Sequence, residues 1–68
     1  MNYAIIVRDT FADNKTDYEL KCLDAFYVSP LITMDSNTDI NKVLDEFEAN
    51  FGKYFAHFFS PIYEIAKV

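Results

Sequence analysis

The side chains of this sequence that could do chemistry are few and isolated from one another. His57 is the only histidine, and a general base needs a nucleophile or an orienting acid within hydrogen-bonding reach. No Ser-His-Asp or Cys-His pattern accompanies it, so we expect His57 to lie at the border of an apolar surface. Cys22 is the only cysteine, and we expect it to be a small core residue rather than a reactive thiolate. The sequence therefore predicts that the protein is not an enzyme.

Regularly spaced carboxylates could instead hold a cation. Asp9, Asp13 and Asp17 are four residues apart, with Glu19 beyond them. They lack the central glycine and the final glutamate of the twelve-residue calcium loop. One histidine and one cysteine cannot form a zinc site, and a single glycine cannot build a phosphate-binding loop. We therefore expect no metal and no cofactor.

Acidic residues outnumber basic residues, eleven to six, which gives a net charge of −5. The bases occur singly along the chain, so neither direct nucleic-acid binding nor binding to an anionic membrane is expected. Between residues 35 and 48 the only base is Lys42. This segment is either ordinary solvated surface, a docking surface for a basic protein partner, or a mimic of nucleic acid. The partner-binding candidates are its five acids, Asp35, Asp39, Asp45, Glu46 and Glu48.

Aromatic residues are unusually frequent, with seven Phe and five Tyr among 68 residues. Six of them crowd residues 47–59, which is more than a small sheet can cover. Exposed aromatic clusters usually mark an interface. The three that we expect in the core are Phe47, Phe51 and Phe58. The three that we expect to stay partly exposed, at a homodimer or partner interface, are Tyr54, Phe55 and Phe59.

The element that must position these residues is a helix predicted from residue 40 to about residue 59. Its apolar residues recur at steps of three and four, within about 60° of one line over five turns. Thr38 or Asp39 can cap its start, and Ser60 before Pro61 ends it. Gly52 could end the helix near residue 51, but the apolar phase continues beyond it.

The first half of the chain predicts β-strands. Residues 2–9 form an apolar run typical of a central strand, and residues 18–23 alternate as a half-solvated strand does. A hairpin connection over residues 9–17 would join them. Residues 25–28 continue the second strand, with or without a bulge after Asp24, and Pro30 lies at an edge or ends that strand.

Two further strands complete the predicted sheet. Residues 31–34 form a short third strand, and residues 62–68 return to the sheet, with one more helical turn as the alternative. The predicted fold class is α+β: a small antiparallel sheet of three to four strands with one long amphipathic helix packed on one face, in the order β-β-(β)-α-β. We expect one domain, residues 1–68, that buries about 60% of the surface of the unfolded chain.

The expected location is the cytoplasm, or the host cytoplasm if the protein is viral. One cysteine cannot form an internal disulfide, which favours a reducing compartment. The N-terminal apolar run is too short for a leader peptide or a membrane span. No membrane association is therefore predicted.

Two functions suit this composition. The first is a non-catalytic acidic module that docks on a larger macromolecule and inhibits or modulates it. Accessory inhibitors of phages and mobile elements are similar in size and composition, although no motif supports that analogy. The alternative is a structural or assembly subunit that self-associates through its aromatic residues.

Overall fold

The computed structural model describes residues 1–10 and 17–68. The predicted fold class is confirmed: a four-stranded antiparallel sheet carries one long helix on one face. The predicted connection over residues 9–17 lies largely outside the described residues. The elements in chain order are β1 (Asn2–Asp9), α1 (Tyr18–Leu23), β2 (Tyr27–Val28), β3 (Ile32–Thr33), α2 (Ile40–Ala56) and β4 (Pro61–Lys67).

Strand β1 is the centre of the sheet because both of its edges are paired. Strand β4 pairs antiparallel with one edge, from Tyr3 opposite Lys67 to Asp9 opposite Pro61. Strands β2 and β3 pair antiparallel with the other edge, one after the other. Residues 4–8 are at most 2% exposed. Burial of the apolar run over residues 4–7 is expected for a doubly covered strand.

Strands β2 and β3 are two halves of one edge strand, separated by a bulge. The pairing register with β1 shifts by one residue between them. Ser29 bridges the gap, because its N–H donates to the Ile5 carbonyl (2.9 Å) and its hydroxyl accepts from the Ile5 N–H (2.8 Å). Pro30 follows, at an edge position where no ladder donor is needed. The predicted interruption at Pro30 is confirmed.

The predicted strand over residues 18–23 is wrong, because these residues form helix α1. The Asp17 carboxylate caps the helix by accepting from the N–H groups of Glu19 (2.8 Å) and Leu20 (3.2 Å). Six alternating residues are too few to distinguish a strand period from a helix period. The capping hydrogen bonds from Asp17 therefore favour the helix. Cys22 is consequently half-buried on a short helix and not in the sheet core.

Helix α2 begins as predicted and ends slightly early. The Asp39 carboxylate caps it by accepting from the Lys42 N–H at 3.2 Å. The helix runs through Gly52 and stops at Ala56, and residues 57–59 follow as a turn. The predicted final strand is confirmed as β4.

An ion network joins α1 to the sheet face opposite α2. The guanidinium of Arg8, 2% exposed, lies 2.6 Å from a Glu64 carboxylate oxygen and 3.7 Å from an Asp24 oxygen. The second Glu64 oxygen accepts from the Lys21 ammonium group. Because a buried unpaired charge costs several kcal/mol, these contacts fix the end of α1 against β1 and β4.

We expect Glu64→Gln to lower the free energy of unfolding by about 2 kcal/mol, because Arg8 loses a charged, largely buried partner. Glu64 is a quarter exposed, so water screens part of the loss. Urea denaturation at pH 7 measures this change. The control is Glu46→Gln on the exposed side of α2, which should change stability by less than about 0.5 kcal/mol. Equal losses in both variants would contradict the network's role.

The same network predicts a pH dependence. Burial acts to raise the pKa of Glu64, but the hydrogen bonds and charges of Lys21 and Arg8 outweigh it, so the pKa lies below its ordinary value of 4.5. A carboxylate with a lowered folded-state pKa stabilises the fold above the unfolded-state pKa and loses that effect as the pH falls. The stability difference between the wild type and Glu64→Gln should therefore be complete above about pH 5 and shrink below it. An undiminished difference at pH 3 in urea titrations would refute this assignment.

Candidate protein-binding surface

Five exposed aromatic side chains form a continuous surface, here named the aromatic patch: Phe26, Tyr27, Phe51, Tyr54 and Phe58. Their exposed fractions range from 38% to 61%. Since a Phe or Tyr side chain presents about 150–250 Å², the patch exposes on the order of 500 Å². That is near the upper limit for the largest apolar patch of a typical monomer.

Two elements hold the aromatic patch together. The Phe26 N–H donates to the Val7 carbonyl of β1 at 2.8 Å, which fixes the start of β2 beside the helix. Phe51 and Tyr54 lie on the side of α2 that faces Phe26 and Tyr27 across the groove, and Phe58 follows in the turn after α2. The patch therefore lies where the helix overhangs the short edge strand.

Phe55 lies beneath the patch and packs against its rings. It is 4% exposed, and its ring centroid lies 5.7 Å from Tyr27 and 6.2 Å from Phe26. Phe26 in turn stacks on Phe58 at 6.2 Å, and Tyr54 meets Phe58 edge to face at 5.3 Å. Such ring pairs add about 0.5–1.5 kcal/mol each beyond area burial, so the exposed rings are held in place.

A groove of about 360 Å³ runs through the patch. It is lined by four rings of the patch together with Phe47 and Phe55. A volume of this size accepts one or two large apolar side chains. None of the described residues that line it carries a charge, so the groove suits apolar side chains.

A second hollow, of about 300 Å³, lies at one end of the patch. Its lining includes Asp9, Asp24, Phe26, Phe58 and Phe59. Carboxylates therefore stand directly beside exposed ring faces. This combination would favour a cation with an apolar or planar body, such as an arginine guanidinium, which would share Asp24 with Arg8.

The exposures expected for the predicted interface residues are only partly observed. Tyr54 is exposed and Phe59 is half-buried, as expected, but Phe55 is buried and cannot contact a partner. Conversely, the predicted core residues Phe51 and Phe58 are 49% and 57% exposed. Periodicity identifies the residues that share a side of α2, but it does not reveal that the two-residue strand β2 is too short to cover them.

Two patch residues, Phe26 and Tyr27, were not among the predicted site residues. The sequence feature that could have pointed to them is a pair of adjacent aromatic residues shortly before Pro30. In the predicted strand, the side chains of these two adjacent residues would point to opposite faces of the sheet. Only the tertiary packing brings both rings to the same groove.

The five predicted acidic residues are all exposed, but they do not form one strip. Asp35 accepts from the Asn37 N–H (2.9 Å) and the Thr38 hydroxyl (3.2 Å), and Asp39 caps α2. These two have local structural roles. The other three, Asp45, Glu46 and Glu48, spread over roughly 160° of the helix circumference, with Lys42 inside that arc.

Among the described residues, the candidate metal ligands do not come together. The described residues contain no group of three His, Cys, Asp or Glu side chains that could hold a metal ion. Asp13 lies outside the described residues. His57 is exposed, and its ring meets Phe58 edge to face at 5.2 Å. In the described part of the chain no helix is both long enough and apolar enough to cross a membrane.

No family model matches this chain, and no curated protein or solved structure is significantly similar to it. The structure itself is therefore the basis for a functional hypothesis.

We expect Phe55→Ala to lower the free energy of unfolding by about 3–5 kcal/mol, because it opens a cavity under the patch. Phe58→Ala should cost about 1 kcal/mol, since the ring is more than half exposed and loses mainly ring contacts. Thermal or urea unfolding of both variants measures the difference. A larger loss for Phe58→Ala would show that the burial of the two rings is reversed.

Proposed function

We propose that the protein is a non-catalytic binding module that docks on a larger protein through the aromatic patch. The observation that carries this proposal is the row of five ordered, exposed rings around an aromatic groove. A chain of 68 residues has little core to spare, so leaving this much ring surface in water costs stability. Interfaces use such rigid rings as anchors, because they bury a large area with little loss of conformational entropy.

The chemistry around the patch indicates the kind of partner. The net charge is −5, and the hollow beside Phe26 and Phe58 carries Asp9 and Asp24. A complementary surface has apolar side chains that fill the groove and a lysine or arginine that enters the hollow. An arginine suits it best, since its guanidinium can both stack on a ring and bond a carboxylate.

Docking through the patch has more support than mimicry of nucleic acid by α2. A mimic needs an extended array of negative charge, whereas two of the predicted acids serve local structure and Lys42 interrupts the rest. The acids of α2 would instead speed the approach of a basic partner from a distance. By covering a surface of its partner, the module would inhibit or modulate it.

The test is capture of the partner by matched variants of the purified protein. Wild type, Tyr54→Ser and Phe58→Ser are immobilised and exposed to lysate of the source cells, or of the host cells if the protein is viral. Bound proteins are identified and quantified by mass spectrometry. The control is Val68→Ser, because Val68 is 54% exposed and follows β4, on the sheet edge opposite β2 and the patch.

We expect one stoichiometric partner that the wild type and the Val68→Ser control retain. The two patch variants should lose at least tenfold in captured partner, as truncation of an interface anchor typically costs. Circular dichroism confirms that every variant is folded. A partner held equally by all four proteins, or no stoichiometric partner at all, would refute the proposal.

A further inference from the structure

The outer edge of β4 carries a row of backbone groups that lack partners among the described residues. The Val68 N–H donates to the Asn2 carbonyl (2.9 Å), and the Thr10 N–H donates to the Ser60 carbonyl (2.8 Å). In an antiparallel ladder such bonded pairs recur at every second residue. The even-numbered residues of β4 therefore bond to β1, and the odd-numbered residues direct their N–H and C=O groups outward.

The outward donors are the N–H groups of Tyr63, Ile65 and Lys67. Strand β4 pairs with β1 alone in the described sheet. The opposite edge of the sheet is interrupted by Pro30 and the bulge, which are devices that prevent strand addition. Strand β4 has neither device after Pro61, so it is the edge that can accept another strand.

We propose that a second copy of this chain pairs antiparallel along β4, with a twofold axis at Ile65. In this register Ile65 lies opposite Ile65 of the second copy, and Tyr63 lies opposite Lys67 of the second copy. All three outward N–H groups of each chain then find a carbonyl group, giving six inter-chain hydrogen bonds. The two sheets become one continuous sheet.

Charge complementarity favours a second copy of this chain as the added strand. Tyr63 and Glu48 are neighbours, because a Cβ atom placed on Gly52 would lie 3.6 Å from the Tyr63 hydroxyl and 3.7 Å from the Glu48 Cγ. Burial and then the charge of Glu48 raise the pKa of Tyr63 above its ordinary value. Residues directly opposite in a ladder share a face at about 5 Å. Lys67 of the second copy therefore comes within reach of Glu48, and symmetry makes this pair twice.

The neighbouring registers fit less well. An axis at Glu64 would place that carboxylate directly opposite its own copy, and like charges at such positions destabilise a ladder. An axis at Tyr63 would place Lys67 opposite residue 59, which lies before the strand begins. The Ile65 register alone combines apolar contact at the axis with full use of the three donors.

Pairing through β4 leaves the aromatic patch open, since the patch adjoins β2 on the opposite edge of the sheet. The dimer would present two patches, one at each end of the joined sheet. This inference stands independently of the proposed function, because it rests on a different edge and on a different set of residues.

Charge reversal tests the register. Sedimentation equilibrium of the full chain measures the dimer dissociation constant for the wild type, Glu48→Lys, Lys67→Glu and the double variant Glu48→Lys/Lys67→Glu. Each single reversal should weaken the dimer about tenfold or more by placing like charges together, and the double variant should recover most of that loss. Glu46→Lys is the control for net charge and should leave the constant within about twofold of the wild type.

Two outcomes would overturn the proposal. The first is a wild type that stays monomeric throughout the accessible concentration range. The second is a dimer that dissociates in Tyr54→Ser or Phe58→Ser and is unaffected by Glu48→Lys, since the second copy would then occupy the aromatic patch. Amide hydrogen exchange adds a readout that needs no substitution, because protection of Tyr63, Ile65 and Lys67 should rise with protein concentration. Unchanged exchange at all three amides would contradict the pairing.

Discussion

The structure depends on one buried charge in the central strand. Arg8 is almost inaccessible to water, so it must be neutralised by acids from elsewhere in the chain. Glu64 of β4 and Asp24 after α1 supply them, and Lys21 shares Glu64. This requirement brings α1 to the sheet face that α2 leaves uncovered. Because Asp24 stands two residues before Phe26, the same contact fixes the chain where the aromatic patch begins.

The aromatic patch follows from a mismatch in size between helix and sheet. Helix α2 spans 17 residues, about 25 Å at 1.5 Å per residue, whereas β2 contributes only two residues beside it. Phe47 and Phe55 fill the space between them, and the remaining rings on the β2 side of the helix stay in contact with water. A protein that only needed to be soluble would gain by making these positions polar, which is why partner binding is proposed for them.

Much of the fold could be predicted from the sequence, because its long elements have clear periods. The apolar run of β1, the stripe of α2 and the final strand all follow from local pattern. Helix α1 could not be predicted, since the alternation of residues 18–23 matches a strand and only the Asp17 cap distinguishes the two. The candidate binding surface was harder to predict than the fold. Which side of α2 is covered depends on the width of the sheet, a tertiary property, and that reversed the expectations for Phe55 and Phe58.

In the proposed complex the aromatic patch, and not the acidic side of α2, is the surface that meets the partner. The most direct measurement is chemical-shift mapping by nuclear magnetic resonance, with isotope-labelled protein titrated with its captured partner. We predict that the largest shifts cluster at Phe26, Tyr27, Tyr54 and Phe58 while the amides of Asp45 and Glu46 stay nearly unchanged. Shifts centred on Asp45 and Glu46, with none in the aromatic patch, would contradict the proposed binding surface.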